Sequence, residues 1–312
     1  MYTICNLGGN GVDSVVIKAM AKVNLGLDVL RRRENGYHDV KMVMQTVNLY
    51  DTLTLSKIEE GIVITTNTGE LPLNEDNLIY KAAKLLFEHK GYTGGVSIHL
   101  DKQIPIAAGM AGGSTDAAST LLGLNELYAF GLHKEELAEI GVKIGADVPY
   151  CIYGGTCLSE GIGEVLTKLP DAPDCYVVIA KPGIGVSTKY VYENLHIETV
   201  SEHPDIDGMI EAIKAGSLDG VAAKMENVLE IVTIKRYPEI ETMKKCLLDN
   251  GAENALMSGS GPTVFGIFKE ENIAEHALFK LKETGLVKNG FVTTFAKETG
   301  INKWKWIYKY SK

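Results

Sequence analysis

Hydrophobic and polar positions alternate strictly from Ile17 to Val29. Odd positions are apolar and even positions are mostly polar. Because strand side chains point alternately to opposite faces, this pattern predicts a half-buried strand, or two strands joined by a bend. Lys22 and Asn24 then share the face away from the core. The same signal predicts further strands at residues 47–57, 61–66 and 96–101.

A helical pattern follows over residues 77–90. Leu78, Ala82, Leu85 and Leu86 form one apolar stripe, and Gly91 is placed as the C-cap. Further helices are predicted at residues 115–128, 134–144, 187–194, 206–215, 217–231, 237–249 and 270–284. Further strands are predicted at residues 175–180, 254–258, 263–268 and 291–296.

The composition shifts to Pro and Asp at residues 170–174. Such stretches are typical of domain boundaries, and 312 residues suit two domains. We therefore predict an N-terminal domain over residues 1–170 and a C-terminal domain over residues 171–312. Residues 1–13 are expected to form a loose extension. The Lys- and aromatic-rich tail, residues 302–312, is expected to be an added edge strand or a flexible end.

Charge and cysteine usage exclude several classes of function. The net charge of -9 argues against nucleic-acid binding, which relies on cations that neutralise phosphates. The five cysteines form no CxxC pair, so free thiols in a cytoplasmic protein are expected. No apolar run reaches the ~20 residues of a membrane span, and the N-terminus lacks the pattern of a signal peptide. The negative charge does not exclude an anionic substrate, because a few local cations and backbone N–H groups can suffice to bind one.

A glycine-rich stretch at residues 105–118 carries the main chemical signal. Its glycines allow close backbone approach and positive φ, so successive N–H groups can turn inward around an anion. Ser114 is predicted as the N-cap of the following helix, whose N-terminus would favour phosphate. The chain lacks Gly-Lys, so this is not a P-loop, and a tight strand–helix turn remains an alternative. The candidate phosphate-binding residues here are Pro105, Ile106, Ala107, Ala108, Gly109, Met110, Ala111, Gly112, Gly113, Ser114 and Thr115.

Three motifs together resemble the GHMP kinases. They are Lys22-Val23-Asn24-Leu25, the stretch from Pro105 to Ala118, and the stretch from Met257 to Phe265. Residues 35–38, 75–79 and 145–149 resemble the branch that phosphorylates a diphosphocytidyl-methylerythritol. The resemblance implies an α+β, two-domain fold with mixed sheets and packed helices, and an active site in the cleft between the domains. It also implies that residues 105–115 bind ATP, and that Mg²⁺ is held mainly by the nucleotide phosphates without a dedicated protein metal site. For the oligomeric state, the expectation is a monomer or a homodimer.

The implied reaction transfers the γ-phosphoryl group of ATP to the 2-hydroxyl of a cytidine-diphosphate-linked methylerythritol. Asp147 matches the family's catalytic aspartate, and Lys22 its cation near the γ-phosphate. The residue types also fit simpler interpretations. Asp147 before Val148-Pro149 is typical of a helix N-cap, and Lys22 fits a solvated lysine on an amphipathic strand.

The resemblance also assigns substrate contacts. Tyr37 and His38 match a cytidine-binding pair, Tyr192 an aromatic residue on the other face of the base, and Asn24 a substrate contact beside Lys22. An exposed turn is the alternative for Tyr37 and His38.

Asn77 and Lys102 match positions on the adenine side of the nucleotide. A helix N-cap and a surface lysine are the alternatives for these two residues.

Two alternative functions stay open at this level. Another GHMP kinase, of the homoserine or phosphomevalonate type, would carry the same three motifs. A catalytically inactive ligand sensor would keep the fold, but the presence of both Lys22 and Asp147 weakens that hypothesis.

Overall fold

The computed structural model describes residues 13–297 and divides into two compact units that interleave along the chain. The first unit comprises the residues up to Ala21, Leu49–Ile106 and Ala111–Gly154. The second comprises Lys22–Asn48, Ala107–Met110 and the residues from Gly155 onward. These units are made of interleaved segments and are not consecutive halves of the chain. The sequential boundary at residue 170 stays a prediction. The expectations for residues 1–12 and 302–312 lie outside the described residues.

Two long strands, β1 (Ser14–Arg32) and β2 (His38–Ile58), contribute residues to both units. The alternation predicted for residues 17–29 holds only in the first part of β1. From Ala21 to Val29 every residue is buried, so the polar face that carries Lys22 and Asn24 is buried as well. Sequence periodicity could not show this, because it reports one buried face and not what covers the other.

The first unit packs helices on part of a six-stranded sheet. The second half of β2 pairs antiparallel with β4 (Gly95–Asp101), and β4 pairs parallel with β3 (Ile62–Thr66). The helices of this unit are α1 (Leu78–Lys90), α2 (Gly112–Leu127), α3 (Lys134–Gly141) and α4 (Val148–Tyr153). Helix α2 packs against α1, α3 and α4, and its face is buried through Ala117, Leu121 and Leu124.

The second unit contains antiparallel pairings. The first half of β2 pairs with β5 (Thr156–Gly161), and β5 pairs with β6 (Val165–Lys168). The other sheet has the order β10 (Val287–Thr294), β7 (Tyr176–Pro182), β9 (Val264–Phe268) and β8 (Asn254–Met257). Strands β5 and β6 were not predicted, because the short segment between Gly154 and Pro170 shows no clear alternation.

The second unit also contains helices. They are α5 (Thr188–Glu193), α6 (Ile206–Lys214), α7 (Leu218–Ala222), α8 (Glu230–Arg236), α9 (Glu239–Asp249) and α10 (Glu271–Glu283). Helix α9 packs on β8 and β9, and α10 packs on β7 and β10.

The single helix predicted for residues 217–231 is wrong. The chain leaves the helix after α7, and Asn227 forms a β-bridge with Leu27 before α8 begins. Tertiary hydrogen bonds of this segment replace the local helical ones.

Candidate active site

Lys22 lies in β1 and is only 5% exposed, so the solvated-lysine interpretation is wrong. Its Nζ donates to Asn24 Oδ1 at 2.8 Å, and its backbone N–H donates to Met110 O at 3.2 Å. Asn24 is fully buried and donates through Nδ2 to Met42 Sδ at 3.1 Å. The two-residue spacing on one strand face thus brings Lys22 and Asn24 together, as predicted.

Residues 257–261 form a second glycine-rich segment, which packs on Gly109 of the glycine-rich stretch 105–118. Both Gly109 and this segment belong to the second unit. Ser258 Oγ donates to Gly109 O at 2.9 Å. Gly109 has φ of +70°, and a Cβ there would lie 2.3 Å from Ser258 O. A Cβ on Gly259 would lie 3.3 Å from Gly109 O and 3.6 Å from Asn24 Oδ1. Gly109 is therefore required for packing between the two loops, in addition to any approach of a ligand.

The loop itself has an unusual backbone. Ala107, Gly109 and Ala111 have φ of 52°, 70° and 56°, while the residues between them do not have positive φ. Such alternation is typical of backbone nests that bind anions. A left-handed non-glycine residue costs roughly 1–3 kcal/mol, and such strain concentrates at functional sites. The backbone therefore favours the anion-binding interpretation over a plain strand–helix turn.

Helix α2 begins directly after this loop. Its N-cap is Ala111, which forms no side-chain capping bond, so the prediction of Ser114 as N-cap is wrong. The left-handed turn at Ala111 allows the helix to start at Gly112, three residues earlier than the apolar pattern indicates. A 16-residue helix without a side-chain cap presents N–H groups and the positive end of its dipole at Gly112–Ser114.

Asp147 belongs to the same unit as α2. It occupies the position before α4, with Pro149 in the first turn, as the cap interpretation predicts. Its side chain forms no capping hydrogen bond, however, and its φ and ψ of -81° and -12° are already helical. A Cβ on Gly145 would lie 4.0 Å from Ser114 Oγ, so the 145–147 segment lies beside the N-terminal turn of α2. The structure thus brings together Ser114 and the segment that carries Asp147.

The hairpin between β1 and β2 carries Tyr37 and His38. Tyr37 is 59% exposed, whereas His38 is buried, with its ring centroid 5.1 Å from that of Tyr192 on α5. Burial, assisted by the charge of Arg32, lowers the pKa of His38. The structure therefore brings together His38 and Tyr192, and leaves the Tyr37 ring accessible.

Asp39 braces this hairpin. It is buried and accepts hydrogen bonds from Arg31 Nε and, at 2.6 Å, from Arg33 Nε. These bonds lower the pKa of the Asp39 carboxyl. The backbone N–H of Arg33 also donates to Tyr37 O at 2.7 Å. Three consecutive arginines followed by Asp39 were the available sequence signal for this brace.

Asn77 is confirmed as the N-cap of α1. Its Oδ1 accepts from Ile79 N at 2.9 Å, and its Nδ2 donates to Pro72 O at 2.7 Å.

Lys102 is not a surface residue, because its ammonium lies between the buried carboxylates of Asp51 and Asp116. The assignment of Asn77 and Lys102 to adenine contacts stays a prediction.

The sequence patterns did not predict the cluster of Asp51, Lys102 and Asp116. Lys102 Nζ lies 2.9 Å from Asp116 Oδ2, and Asp51 Oδ1 accepts from the backbone N–H groups of Gln103 and Ile104. Burial, with the nearby charge of Asp51, raises the pKa of Asp116 well above its usual range despite Lys102. Residues this far apart in sequence give no local signal of pairing.

Comparison with known proteins shows the family of this chain. The model of the GHMP kinases N terminal domain matches residues 77–155, and that of the GHMP kinases C terminal matches residues 209–286. The chain belongs to the GHMP kinase family. Its fold is the α+β fold of that family, and the chain is an ATP-using kinase that phosphorylates an alcohol group of a small molecule.

Two relatives are named 4-diphosphocytidyl-2-C-methyl-D-erythritol kinase. The protein of Lachnoclostridium phytofermentans is 53% identical over 91% of this chain and 98% of its own length. That of Lachnospira eligens is 54% identical over 90% of this chain and 98% of its own length.

A crystal structure of 4-(cytidine 5'-diphospho)-2C-methyl-D-erythritol kinase aligns with a TM-score of 0.78 and 32% identity, over 90% of this chain and 99% of that one. A homoserine kinase from Cytophaga hutchinsonii has a TM-score of 0.75 but 21% identity, over 93% of this chain and 98% of that one, and so shows the shared fold alone.

Two negative observations apply to residues 13–297. None of the helices there is both long and apolar enough to span a bilayer. No group of three or more His, Cys, Asp or Glu side chains in that range could hold a metal ion.

Proposed function

We propose that this kinase transfers the γ-phosphoryl group of ATP to the 2-hydroxyl of 4-diphosphocytidyl-2-C-methyl-D-erythritol, a step of the non-mevalonate isoprenoid pathway. The observation that carries the proposal is identity above 50% to two so-named relatives over nine-tenths of the chain. The buried Lys22–Asn24 pair and the braced hairpin at Tyr37 and His38 support it from the structure.

The strained loop and the N-terminus of α2 are assigned to the ATP phosphates. The assignment rests on the left-handed residues 107, 109 and 111 and on the N–H groups at the start of α2. Mg²⁺ would be held mainly by phosphate oxygens and water, which is usual for this ion. When bound, it would neutralise charge on the nucleotide phosphates.

Asp147 is assigned as the base and Lys22 as the cation near the γ-phosphate. In the step, the acceptor oxygen bonds to the γ-phosphorus and the bond from that phosphorus to the bridging oxygen of ADP breaks. The hydroxyl proton goes to Asp147. Phosphoryl transfer depends mainly on positioning and charge stabilisation, so few side chains are needed.

The acceptor is assigned through its cytosine ring to Tyr37, His38 and Tyr192. An aromatic ring can stack on a base, and a neutral imidazole can both donate and accept hydrogen bonds. The lowered pKa of His38 favours that neutral form. A cytoplasmic location and a monomeric or homodimeric state stay predictions.

The proposal is tested by measuring ADP release with purified protein and four acceptors: diphosphocytidyl-methylerythritol, methylerythritol 4-phosphate, homoserine and a mevalonate-type acceptor. We expect kcat/KM to be highest for the first by at least about a hundredfold, since cytosine binding energy aligns the distant hydroxyl. Asp147→Asn serves as the control for a contaminating kinase. Equal or faster turnover of homoserine or the mevalonate-type acceptor would contradict the proposed substrate. ATP binding without ADP release in the presence of any acceptor would indicate a sensor.

A further inference from the structure

The turn that opens α8 carries the buried side chain of Asn227 and the 14% exposed side chain of Glu230, which together hold one loop of the second unit. Asn227 Nδ2 donates to Met257 O and to Gly259 O, both at 2.8 Å. Glu230 Oε1 accepts from Met257 N at 2.8 Å. Two side chains three residues apart thus fix the amide and carbonyl of Met257 and the carbonyl of Gly259. We call Asn227 and Glu230 the clamp.

The clamp is itself anchored on both sides. Asn227 forms a β-bridge with Leu27 of β1, and Val228 N donates to Leu27 O at 3.0 Å. Asn227 Oδ1 accepts from Leu229 N at 3.0 Å, which fixes which end of the amide faces the loop. Glu230 Oε2 pairs with Lys244 Nζ of α9 at 2.6 Å. Both clamp side chains therefore have one orientation that satisfies all their polar atoms.

The clamped loop lies beside Asn24, the hydrogen-bond partner of Lys22, and contacts Gly109. Gly259 packs beside Asn24 Oδ1, the atom that accepts from Lys22 Nζ at 2.8 Å. The neighbouring Ser258 donates to Gly109 O in the loop assigned to phosphate. Leu27, the anchor of Asn227, lies on the same strand as Lys22 and Asn24. A shift of the loop would therefore change the surroundings of Lys22 through Asn24. A shift of Asn227 would change them through Leu27 of the same strand.

We propose that Asn227 and Glu230 are positioning residues, which set the place of Lys22 and of the phosphate loop through the backbone of residues 257–259. The inference deepens the proposed function and rests on it. It also explains why residues 223–229 leave the helical path, since a continuous helix could not present Asn227 both to β1 and to the loop. Neither residue was singled out by the sequence patterns.

The test compares Asn227→Asp with Asn254→Asp. Asn227→Asp keeps the size and the oxygen that accepts from Leu229 N, but it faces a carboxylate toward two carbonyl oxygens. Asn254 is the matched control. Its Nδ2 also donates to a backbone carbonyl of the second unit, Ala222 O at 2.6 Å, and its Oδ1 accepts from Ala255 N. Both variants lose one amide donor.

For Asn227→Asp we expect kcat to fall about ten- to a hundredfold, the scale of an ångström-sized misplacement of a reacting group. KM for the acceptor should change less than about threefold, because its cytidine end is assigned to the separately braced hairpin. Hydrogen exchange at residues 257–261 should accelerate. Asn254→Asp should keep wild-type kcat and loop exchange at a comparable melting temperature.

A folded Asn227→Asp protein with wild-type kcat would overturn the inference, and so would an equal loss of kcat in Asn254→Asp. Should Asn227→Asp not fold, Glu230→Ala removes the acceptor for Met257 N and should give the same loss of kcat and faster loop exchange. Unchanged exchange at residues 257–261 in both clamp variants would also contradict it. If wild-type protein prefers another acceptor, the proposed function fails, while kcat with that acceptor and loop exchange still test the clamp.

Discussion

At the scale of single residues, Lys22 is the side chain whose position most needs explaining. Burying an ammonium is costly unless it is paired and hydrogen-bonded, and Lys22 is 5% exposed. Its 2.8 Å bond to the fully buried Asn24 supplies one polar partner. A lysine buried beside a polar partner agrees with its assignment near the γ-phosphate.

The exposed Tyr37 ring leads to a prediction about acceptor choice. Stacking on a base is worth about 1–3 kcal/mol, so Tyr37→Ala should lower kcat/KM for the diphosphocytidyl acceptor roughly ten- to a hundredfold. The reaction of methylerythritol 4-phosphate should stay equally poor in both proteins. Steady-state kinetics with the two acceptors measure this, and an unchanged ratio of their kcat/KM values would contradict the cytidine assignment.

His38 predicts a pH dependence. Its pKa is lowered, so the ring stays neutral at pH 7 and protonates only below the ordinary histidine value of about 6.5. Below that value the unfolded chain binds more protons than the folded one, so His38 makes stability fall as pH decreases through this window.

We expect kcat/KM for the diphosphocytidyl acceptor to fall on the acid side with an apparent pKa below about 6.5. His38→Gln should remove this limb of the profile. An identical acid limb in His38→Gln would assign the titration to another group.

At the scale of elements, α2 and its preceding loop combine two requirements. The left-handed residues 107, 109 and 111 direct the chain into the helix, and the buried face of α2 fixes the helix on the first unit. Gly112 and Gly113 contribute small size rather than positive φ. A Cβ on Gly112 would lie 3.0 Å from Lys102 Nζ and 3.2 Å from Ile104 Cγ2.

Gly112→Val should therefore weaken ATP binding by at least about tenfold, because its methyl groups push the first turn of α2 away from Lys102 and Ile104. Calorimetric titration with ATP and Mg²⁺ measures the affinity. Gly69→Val is the control, since a Cβ on Gly69 meets nothing within 4 Å in the same unit. Unchanged ATP affinity in a folded Gly112→Val protein would contradict the assignment of the α2 N-terminus to the ATP site.

The Asp51–Lys102–Asp116 cluster predicts unequal stability effects. Lys102→Met leaves two buried carboxylates without their cation and should lower the free energy of unfolding by about 3–5 kcal/mol. Asp116→Asn should cost much less, because burial already disfavours the charged form of Asp116 and Asn still offers Lys102 an oxygen. Urea unfolding of both variants provides the comparison. Equal losses would mean that the charge of Asp116 matters as much as that of Lys102.

At the scale of the whole molecule, the two compact units each hold part of the proposed machinery. Lys22, Asn24, Tyr37 and His38 belong to the second unit, whereas α2 and Asp147 belong to the first.

We predict that Lys22→Ala and Asp147→Asn each reduce kcat roughly a hundredfold or more, the usual scale for a positioned proton-transfer group. The double variant should be little worse than the worse single variant, because residues that act as a unit are not additive. Single-turnover rates of the four proteins test this. Full activity of a folded Asp147→Asn protein would return Asp147 to a structural role at the start of α4.

The sequence by itself determined most elements and the family. Apolar periodicity located α1, β4 and α10, because each buries one regular face, and it located β1 through its apolar face alone. The spacing of Lys22 and Asn24 predicted their shared face, and three glycine-rich or polar motifs indicated a GHMP kinase. Gly91 was identified as the C-cap of α1, and the N-cap role of Asn77 was given as the alternative to an adenine contact, since capping depends on local hydrogen bonds and a local positive φ.

Only the tertiary structure decided what covers each face and which distant groups pair. The polar face of β1 is buried, the 217–231 helix is interrupted at Asn227, and Asp116 pairs with Lys102 and not with water. Helix α2 starts at Gly112 because a left-handed Ala111 permits it, which no propensity predicts. The physical reason is common to all four: long-range burial and hydrogen bonding outweigh local preferences of a few tenths of a kcal/mol to about 1 kcal/mol per residue.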